Sequence, residues 1–67
     1  MTVYVNQTPF EFDTELDIQA LLRQQELKQD KGLAVAVNNV IIPRTNWAQH
    51  QLKHDDQVLI ISATAGG

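Results

Sequence analysis

The 67 residues carry eight acidic and five basic side chains, giving a net charge of −3, and include no cysteine. A chain of this size forms one domain with a small core, and without cysteine it has neither disulfides nor side-chain thiol chemistry. The scattered basic residues exclude the concentrated basic face that nucleic-acid binding needs. Because the apolar runs are too short for a membrane span and the first residues lack a basic signal segment, we expect a cytoplasmic protein with no membrane partner.

The first half of the chain predicts a hairpin followed by one helix. Alternation in TVYVN and in FEF, with NQTP between them, predicts strands at residues 2–7 and 9–12. Asp17 is a typical N-cap, so a helix should begin at Ile18 and run to about Lys28. The apolar stripe of this helix is expected to contain Ile18, Leu21, Leu22 and Leu27.

The second half predicts three strands joined by tight turns. GLAVAVNN alternates clearly, and its NN pair is typical of a turn. VII is a short strand that Pro43 stops, because proline cannot donate a hydrogen bond to a sheet. RTNWAQHQL fits one short helical turn, KHDD reverses the chain, and QVLIISA is apolar on both faces, as in a central strand.

These elements give the order β-β-α-β-β-β and the fold class α+β. One helix can cover only one face of a mixed sheet of about five strands, and the last strand should lie at the centre, beside the first, because it is the most apolar. This is a ubiquitin-like β-grasp arrangement for residues 1–62, with residues 63–67 as a flexible C-terminal tail. The expected core consists of Val3, Val5, Ile18, Leu21, Leu22, Leu33, Val35, Val37, Val58 and Ile60.

Two specific elements of the sequence then resemble the ThiS family, the sulfur carriers of thiamine thiazole biosynthesis. GLAVAVNN is followed by IIPR, by Trp47 three residues after Arg44, by DQVLII and by a Gly-Gly pair. The Pro-Arg-x-x-Trp element and the Gly-Gly pair are the specific parts, and the resemblance covers nearly the whole chain. One departure is that Asp55-Asp56 stands where the family usually has Gly-Asp; Asp tolerates the left-handed conformation better than most residues, so the turn should survive.

The resemblance implies that Gly67 is the reacting residue. In the family, an E1-like adenylyltransferase, ThiF, uses ATP and Mg²⁺ to adenylate the C-terminal glycine. The adenylate becomes a thiocarboxylate, with sulfur from a donor enzyme, and the thiazole synthase ThiG receives the sulfur. The chain is thus expected to be a monomeric carrier and co-substrate, not an enzyme, with no bound cofactor.

The small residues before Gly67 suit this role. Six extended residues, Ser62 to Gly67, span at most about 20 Å, enough to reach an enclosed nucleotide site. Gly66 lacks a Cβ and Ala65 has only a methyl group, so both should thread through a narrow channel.

The carrier must also be recognised by the activating enzyme. On the face of the sheet opposite the helix, alternation predicts an apolar patch, and uncovered patches often mark partner surfaces. We expect the activating enzyme to dock on this patch, which should consist of Tyr4, Ala34, Ala36, Leu59 and Ile61.

Three other functions remain open from the sequence. A MoaD-like small subunit of molybdopterin synthase shares the fold and the tail chemistry, but the short chain and the Pro-Arg-x-x-Trp element favour ThiS. A ubiquitin-type protein modifier is a second alternative, although ubiquitin has arginine where Ala65 stands. A plain β-grasp interaction domain with an inert tail is the third.

The remaining candidate residues have ordinary structural interpretations. His50 and His54 are four residues apart and could share a metal, but we expect solvated side chains and no metal site. Arg44 is expected to pair with a carboxylate of this chain in preference to an acidic group of the partner. Trp47 is expected to cover one end of the core with its N–H bonded, in preference to a role in binding. Ser62 lacks a nucleophile motif. An acidic cluster precedes the helix, and we expect it to cap the helix N-terminus or, secondarily, to steer the protein toward a basic partner. It consists of Asp13, Glu15 and Asp17.

Overall fold

A five-stranded mixed sheet packed on one helix forms the body of the protein. The computed structural model describes residues 1–25 and 32–62. Its elements in chain order are β1 (Thr2–Val5), β2 (Thr8–Glu11), α1 (Ile18–Gln24), β3 (Leu33–Val37), β4 (Val40–Ile41), a 3-10 turn (Arg44–Asn46) and β5 (Gln57–Ser62). The strand order is β2-β1-β5-β3-β4, with β5 parallel to β1 and antiparallel to β3. The predicted element order and the central position of the last strand are therefore confirmed.

Both hairpins close through two residues in the left-handed region. Asn6 and Gln7 have φ of 50° and 73°, and Asn38 and Asn39 have φ of 51° and 71°. Positive φ at both central positions is the type I′ geometry that matches the twist of the flanking strands, and asparagine tolerates it well. The first turn shortens β1 to Thr2–Val5, whereas the sequence predicted a strand reaching residue 7.

The helix begins where it was predicted to begin. The Asp17 carboxylate accepts a hydrogen bond from the Ala20 backbone N–H at 2.8 Å, which confirms Asp17 as the N-cap. Ile18, Leu21 and Leu22 are fully buried against the sheet. The predicted continuation to Lys28, including Leu27, lies outside the described residues.

The core contains nine of the ten predicted residues and three more. Leu33 is only partly buried at the start of β3, where it packs against the core edge. Leu16 and Leu52 were not predicted, because they lie in connecting segments without periodicity; the Leu52 N–H donates to the Leu16 carbonyl at 2.9 Å. The buried apolar residues are Val3, Val5, Leu16, Ile18, Leu21, Leu22, Val35, Val37, Trp47, Leu52, Val58 and Ile60.

Trp47 covers one end of this core as the sequence predicted. Its side chain is 3% exposed, and its indole N–H donates to the Ile42 carbonyl at 2.9 Å. The Arg44 guanidinium lies 5.1 Å from the centre of the indole ring, within the range of a cation–π contact. This element of the family pattern therefore has a structural role, with Arg44 held locally against the tryptophan, while its pairing with a carboxylate stays a prediction.

The turn before β5 depends on two adjacent aspartates with different tasks. Asp55 has φ of 71°, so it adopts the left-handed conformation in the place where the family usually has glycine. Asp56 is buried, and its two carboxylate oxygens accept from the Asn38 side-chain amide at 3.0 Å and from the Lys53 backbone N–H at 2.8 Å. Asp56 thus fastens the start of β5 to the β3–β4 turn.

Replacing Asp56 with alanine should lower the free energy of unfolding by about 2–3 kcal/mol, because two part-buried donors lose a charged acceptor. Urea unfolding followed by circular dichroism measures this change. Lys53→Ala is the matched control, since it keeps the Lys53 N–H and removes an exposed side chain. Equal stability of Asp56→Ala and the wild-type protein would show that these hydrogen bonds contribute nothing net.

Candidate functional site

β5 is the strand that leads toward Gly67. Val58 and Ile60 face the helix and are buried, whereas Leu59 and Ile61 face the opposite side and are each 48% exposed. β3 pairs with β5 along its whole length, up to the Leu33–Ser62 pair. The residues with predicted tail functions, Ala65, Gly66 and Gly67, lie outside the described residues, as does the whole proposed tail of residues 63–67.

A shallow groove of about 390 Å³ lies on the open face of the sheet. The described residues that line it are apolar or carry neutral amides, and none of them is charged. The groove is lined by Asn6, Gln7, Ala34, Val35, Ala36, Asn39, Ile41, Gln57, Val58, Leu59 and Ile61.

Four of the five predicted patch residues line this groove: Ala34, Ala36, Leu59 and Ile61. Tyr4 does not line it and is partly buried, although it pairs with the groove residue Gln57. Ile41 belongs to the groove, is 73% exposed, and was missed. The sequence could have placed Ile41 in the groove, because a two-residue turn at NN sets Ile41 opposite the patch residue Ala36.

Both edges of the sheet resist pairing with another strand. The Tyr4 N–H points toward β5, where it donates to the Asp56 carbonyl. Opposite residues of an antiparallel pair point their backbone nitrogens either both toward each other or both away, so the nitrogen of Pro9, opposite Tyr4, faces away from β1. At the other edge Ile42 donates inward to Val35, so Pro43 turns its nitrogen outward. Because proline has no N–H, each edge lacks a donor that an added strand would need. The apolar face is therefore a more accessible surface for a partner than either edge.

The two histidines have structural contacts. The His54 Nδ1 accepts from the Thr2 backbone N–H at 3.0 Å, and the His50 backbone N–H donates to the Asn46 carbonyl at 2.9 Å. Within residues 1–25 and 32–62 no group of three or more His, Cys, Asp or Glu side chains could hold a metal ion. In the same part of the chain no helix is long and apolar enough to cross a membrane.

The acidic cluster before α1 is divided by the structure. Asp17 caps the helix, whereas Asp13 and Glu15 are exposed in the segment that precedes it. A steering role for the exposed pair stays a prediction.

A mixed sheet with parallel central strands β1 and β5, packed on the helix α1, defines the ubiquitin-like β-grasp class. The model of the ThiS family matches residues 2–67. The sulfur carrier protein ThiS of Escherichia coli strain K12 is 42% identical over 50 residues, covering 75% of this chain and 74% of that protein.

Solved structures agree with this fold. The crystal structure of the thiamine biosynthesis protein ThiS from Geobacter metallireducens matches with a TM-score of 0.83 at 25% identity over the whole of both chains. A solution structure of a thiamine biosynthesis protein from that organism matches with a TM-score of 0.81 at 25% identity, covering all of this chain and 88% of that one. The chain belongs to the ThiS family, which confirms the resemblance inferred from the sequence.

Proposed function

We propose that this protein is a sulfur carrier of thiamine biosynthesis and that its reactive group is the α-carboxylate of Gly67. The observation that carries the proposal is the family match, which extends through residue 67 and so includes the Gly-Gly pair. The Escherichia coli relative, a sulfur carrier protein by name, supports the general role. The following steps are our account of how the role is performed.

A carboxylate is a poor electrophile because its oxygen is a poor leaving group. A Gly67 carboxylate oxygen attacks the α-phosphorus of ATP, forming a mixed anhydride with AMP and releasing pyrophosphate. A sulfide-equivalent nucleophile then forms a carbon–sulfur bond as AMP leaves, which gives a thiocarboxylate. Because the sulfur is held on the main-chain end, the carrier needs no thiol side chain, and this chain contains no cysteine.

The carrier is a substrate of its partners and not a catalyst. An E1-like adenylyltransferase binds the ATP and Mg²⁺, a donor enzyme supplies the sulfur, and a thiazole synthase accepts it. The small residues Ala65 and Gly66 let Gly67 enter an enclosed site. The predicted cytoplasmic location and monomeric state stay predictions.

The activating enzyme docks on the apolar face that leads to the tail. Three observations support this face as the docking surface: Leu59 and Ile61 are half exposed, no lining residue that the structure describes is charged, and prolines blunt both sheet edges. Contiguous exposed apolar surface on a small domain commonly marks a partner site. The docking residues in this proposal are Ala34, Ala36, Ile41, Leu59 and Ile61, with Tyr4 at the margin.

Intact-mass spectrometry tests the proposed chemistry. The chain is incubated with ATP, Mg²⁺, the activating enzyme and a sulfur source, and we expect a mass increase equal to the replacement of one oxygen by one sulfur. The same mixture without ATP is the control and should give no increase. A chain that stays at its original mass in the complete mixture, with an activating enzyme that loads another carrier, contradicts the proposed function.

A further inference from the structure

β5 loses its strand neighbour on one side before it ends. On the side of β3, pairing continues to Ser62, but on the side of β1 it covers only Gln57 and Val58. Beyond Val58, the N–H and carbonyl groups that point toward β1 have no strand opposite them. A central strand with polar backbone groups left unpaired in a part-buried position is destabilised, so these groups need another partner.

The Asn6 side chain supplies that partner. Its Oδ1 accepts from the Ile60 N–H at 2.8 Å, and its Nδ2 donates to the Ile60 carbonyl at 3.3 Å. The Asn6 backbone N–H also donates to the Val58 carbonyl at 2.9 Å. The Asn6 side-chain amide therefore takes the place of a peptide group of β1. It extends the hydrogen bonding along β5 to Ile60, two positions beyond Val58.

A second asparagine holds the other end of β5 from the opposite side. Asn38 Oδ1 accepts from the Gln57 N–H at 2.9 Å, and Asn38 Nδ2 donates to Asp56 at 3.0 Å. Asn6 and Asn38 occupy the same place in their turns, with φ of 50° and 51°. Asn38 holds the start of β5, whereas Asn6 holds the half of β5 from which the chain continues toward Gly67.

We infer that Asn6 is a positioning residue for the sulfur-carrier reaction. Its amide holds β5 at Ile60 and so fixes the position and direction of the strand end from which the tail starts. The inference rests on the proposed function, since the direction matters only if Gly67 must enter a partner's site. To reach the partner's site the tail has to extend from Ser62 to Gly67 in the bound complex, so a displacement of the strand end at Ile60 moves the start of the tail and shifts the carboxylate. Misplacement of a reacting group by a small distance costs rate in the bound complex more than it costs binding.

Two matched variants separate positioning from general stability. Asn6→Gly and Asn38→Gly each remove one asparagine amide, and glycine keeps the positive φ that the turn requires. Both variants lose hydrogen bonds to β5 and should lose stability. In the activation assay, with the carrier as the varied substrate, we expect Asn6→Gly to lower kcat roughly tenfold with little change in KM, and Asn38→Gly to keep the wild-type kcat.

Amide hydrogen exchange followed by NMR checks the structural part directly. The Ile60 amide should be protected in the wild-type protein and should exchange faster in Asn6→Gly, whereas the Gln57 amide should exchange faster only in Asn38→Gly. A wild-type Ile60 amide without protection overturns the inference, because the hydrogen bond that holds the strand would then be absent in solution.

The kinetic outcomes are equally decisive. A wild-type kcat for Asn6→Gly, or an equal fall in kcat for both glycine variants, overturns the inference. If Asn6→Gly does not fold, Asn6→Asp replaces it: an aspartate tolerates the turn and accepts from the Ile60 N–H, but it cannot donate to the Ile60 carbonyl. An unchanged kcat for a folded Asn6→Asp variant also overturns the inference. Failure of the proposed function is distinct, because the wild-type chain itself then acquires no sulfur.

Discussion

Removal of Gly67 should abolish sulfur loading completely while the free energy of unfolding stays within about 0.5 kcal/mol of the wild-type value. The proposed adenylation requires a carboxylate at the depth that Gly67 reaches, and a chain shortened by one residue presents its carboxylate about 3.5 Å too early. The buried core residues that the structure describes lie between Val3 and Ile60, so the truncation deletes none of them. Intact-mass spectrometry of the activation mixture measures loading, and thermal unfolding measures stability.

A chain extended by one residue after Gly67 is the matched control for this truncation. Extension keeps every residue of the wild-type chain but moves the carboxylate beyond the position for attack on ATP, so it should also fail to load sulfur. Loading of the truncated chain at the wild-type rate contradicts the assignment of Gly67 as the reacting residue, since any C-terminal carboxylate would then serve.

The Ile61→Asp substitution should weaken docking on the activating enzyme and raise KM roughly 30-fold, with a much smaller effect on kcat. An aspartate at this position would place an unpaired charge in an interface that the uncharged groove predicts to be apolar. A penalty of about 2 kcal/mol for desolvating such a group corresponds to that change. Steady-state kinetics of pyrophosphate release, with the carrier as varied substrate, gives both constants.

Val40→Asp is the control for Ile61→Asp. Val40 is 60% exposed, lies on the short edge strand β4 and does not line the groove, so the same charge placed there should leave KM near the wild-type value. A folded Ile61→Asp protein with wild-type KM contradicts the docking surface. Equal increases for both variants would mean that the added charge acts through the protein's overall field and not through local contact.

The fold could be predicted from the sequence because its signals are local. Strand alternation in TVYVN and GLAVAVNN, the N-cap at Asp17 and the uniformly apolar QVLII each depend on neighbouring residues, and each identifies an element in the structure. The central position of β5 was predicted from its apolar composition, and it is confirmed although the face with Leu59 and Ile61 is half exposed and not covered by the helix.

The features that sequence analysis missed depend on contacts between distant segments. Asn6 and Ile60 are separated by 54 positions, so nothing local indicates that one amide replaces a missing strand. NQTP and NN were recognised as turns, but their asparagines also hold β5, and this second role requires the strand order β1-β5-β3. Asp56 was likewise recognised only as one of two turn residues, although the structure buries it and bonds it to the Asn38 side chain.

The most direct test of the account compares two versions of this chain that differ only at the end of the main chain: one with a free carboxylate at Gly67 and one with a C-terminal amide. Both are supplied with ATP, the activating enzyme, a sulfur source and the thiazole synthase, and thiazole formation is measured. The account predicts that the free acid supports thiazole formation and the amide supports none. Equal thiazole formation by the two chains would contradict it, because sulfur would then travel by a group other than the Gly67 carboxylate.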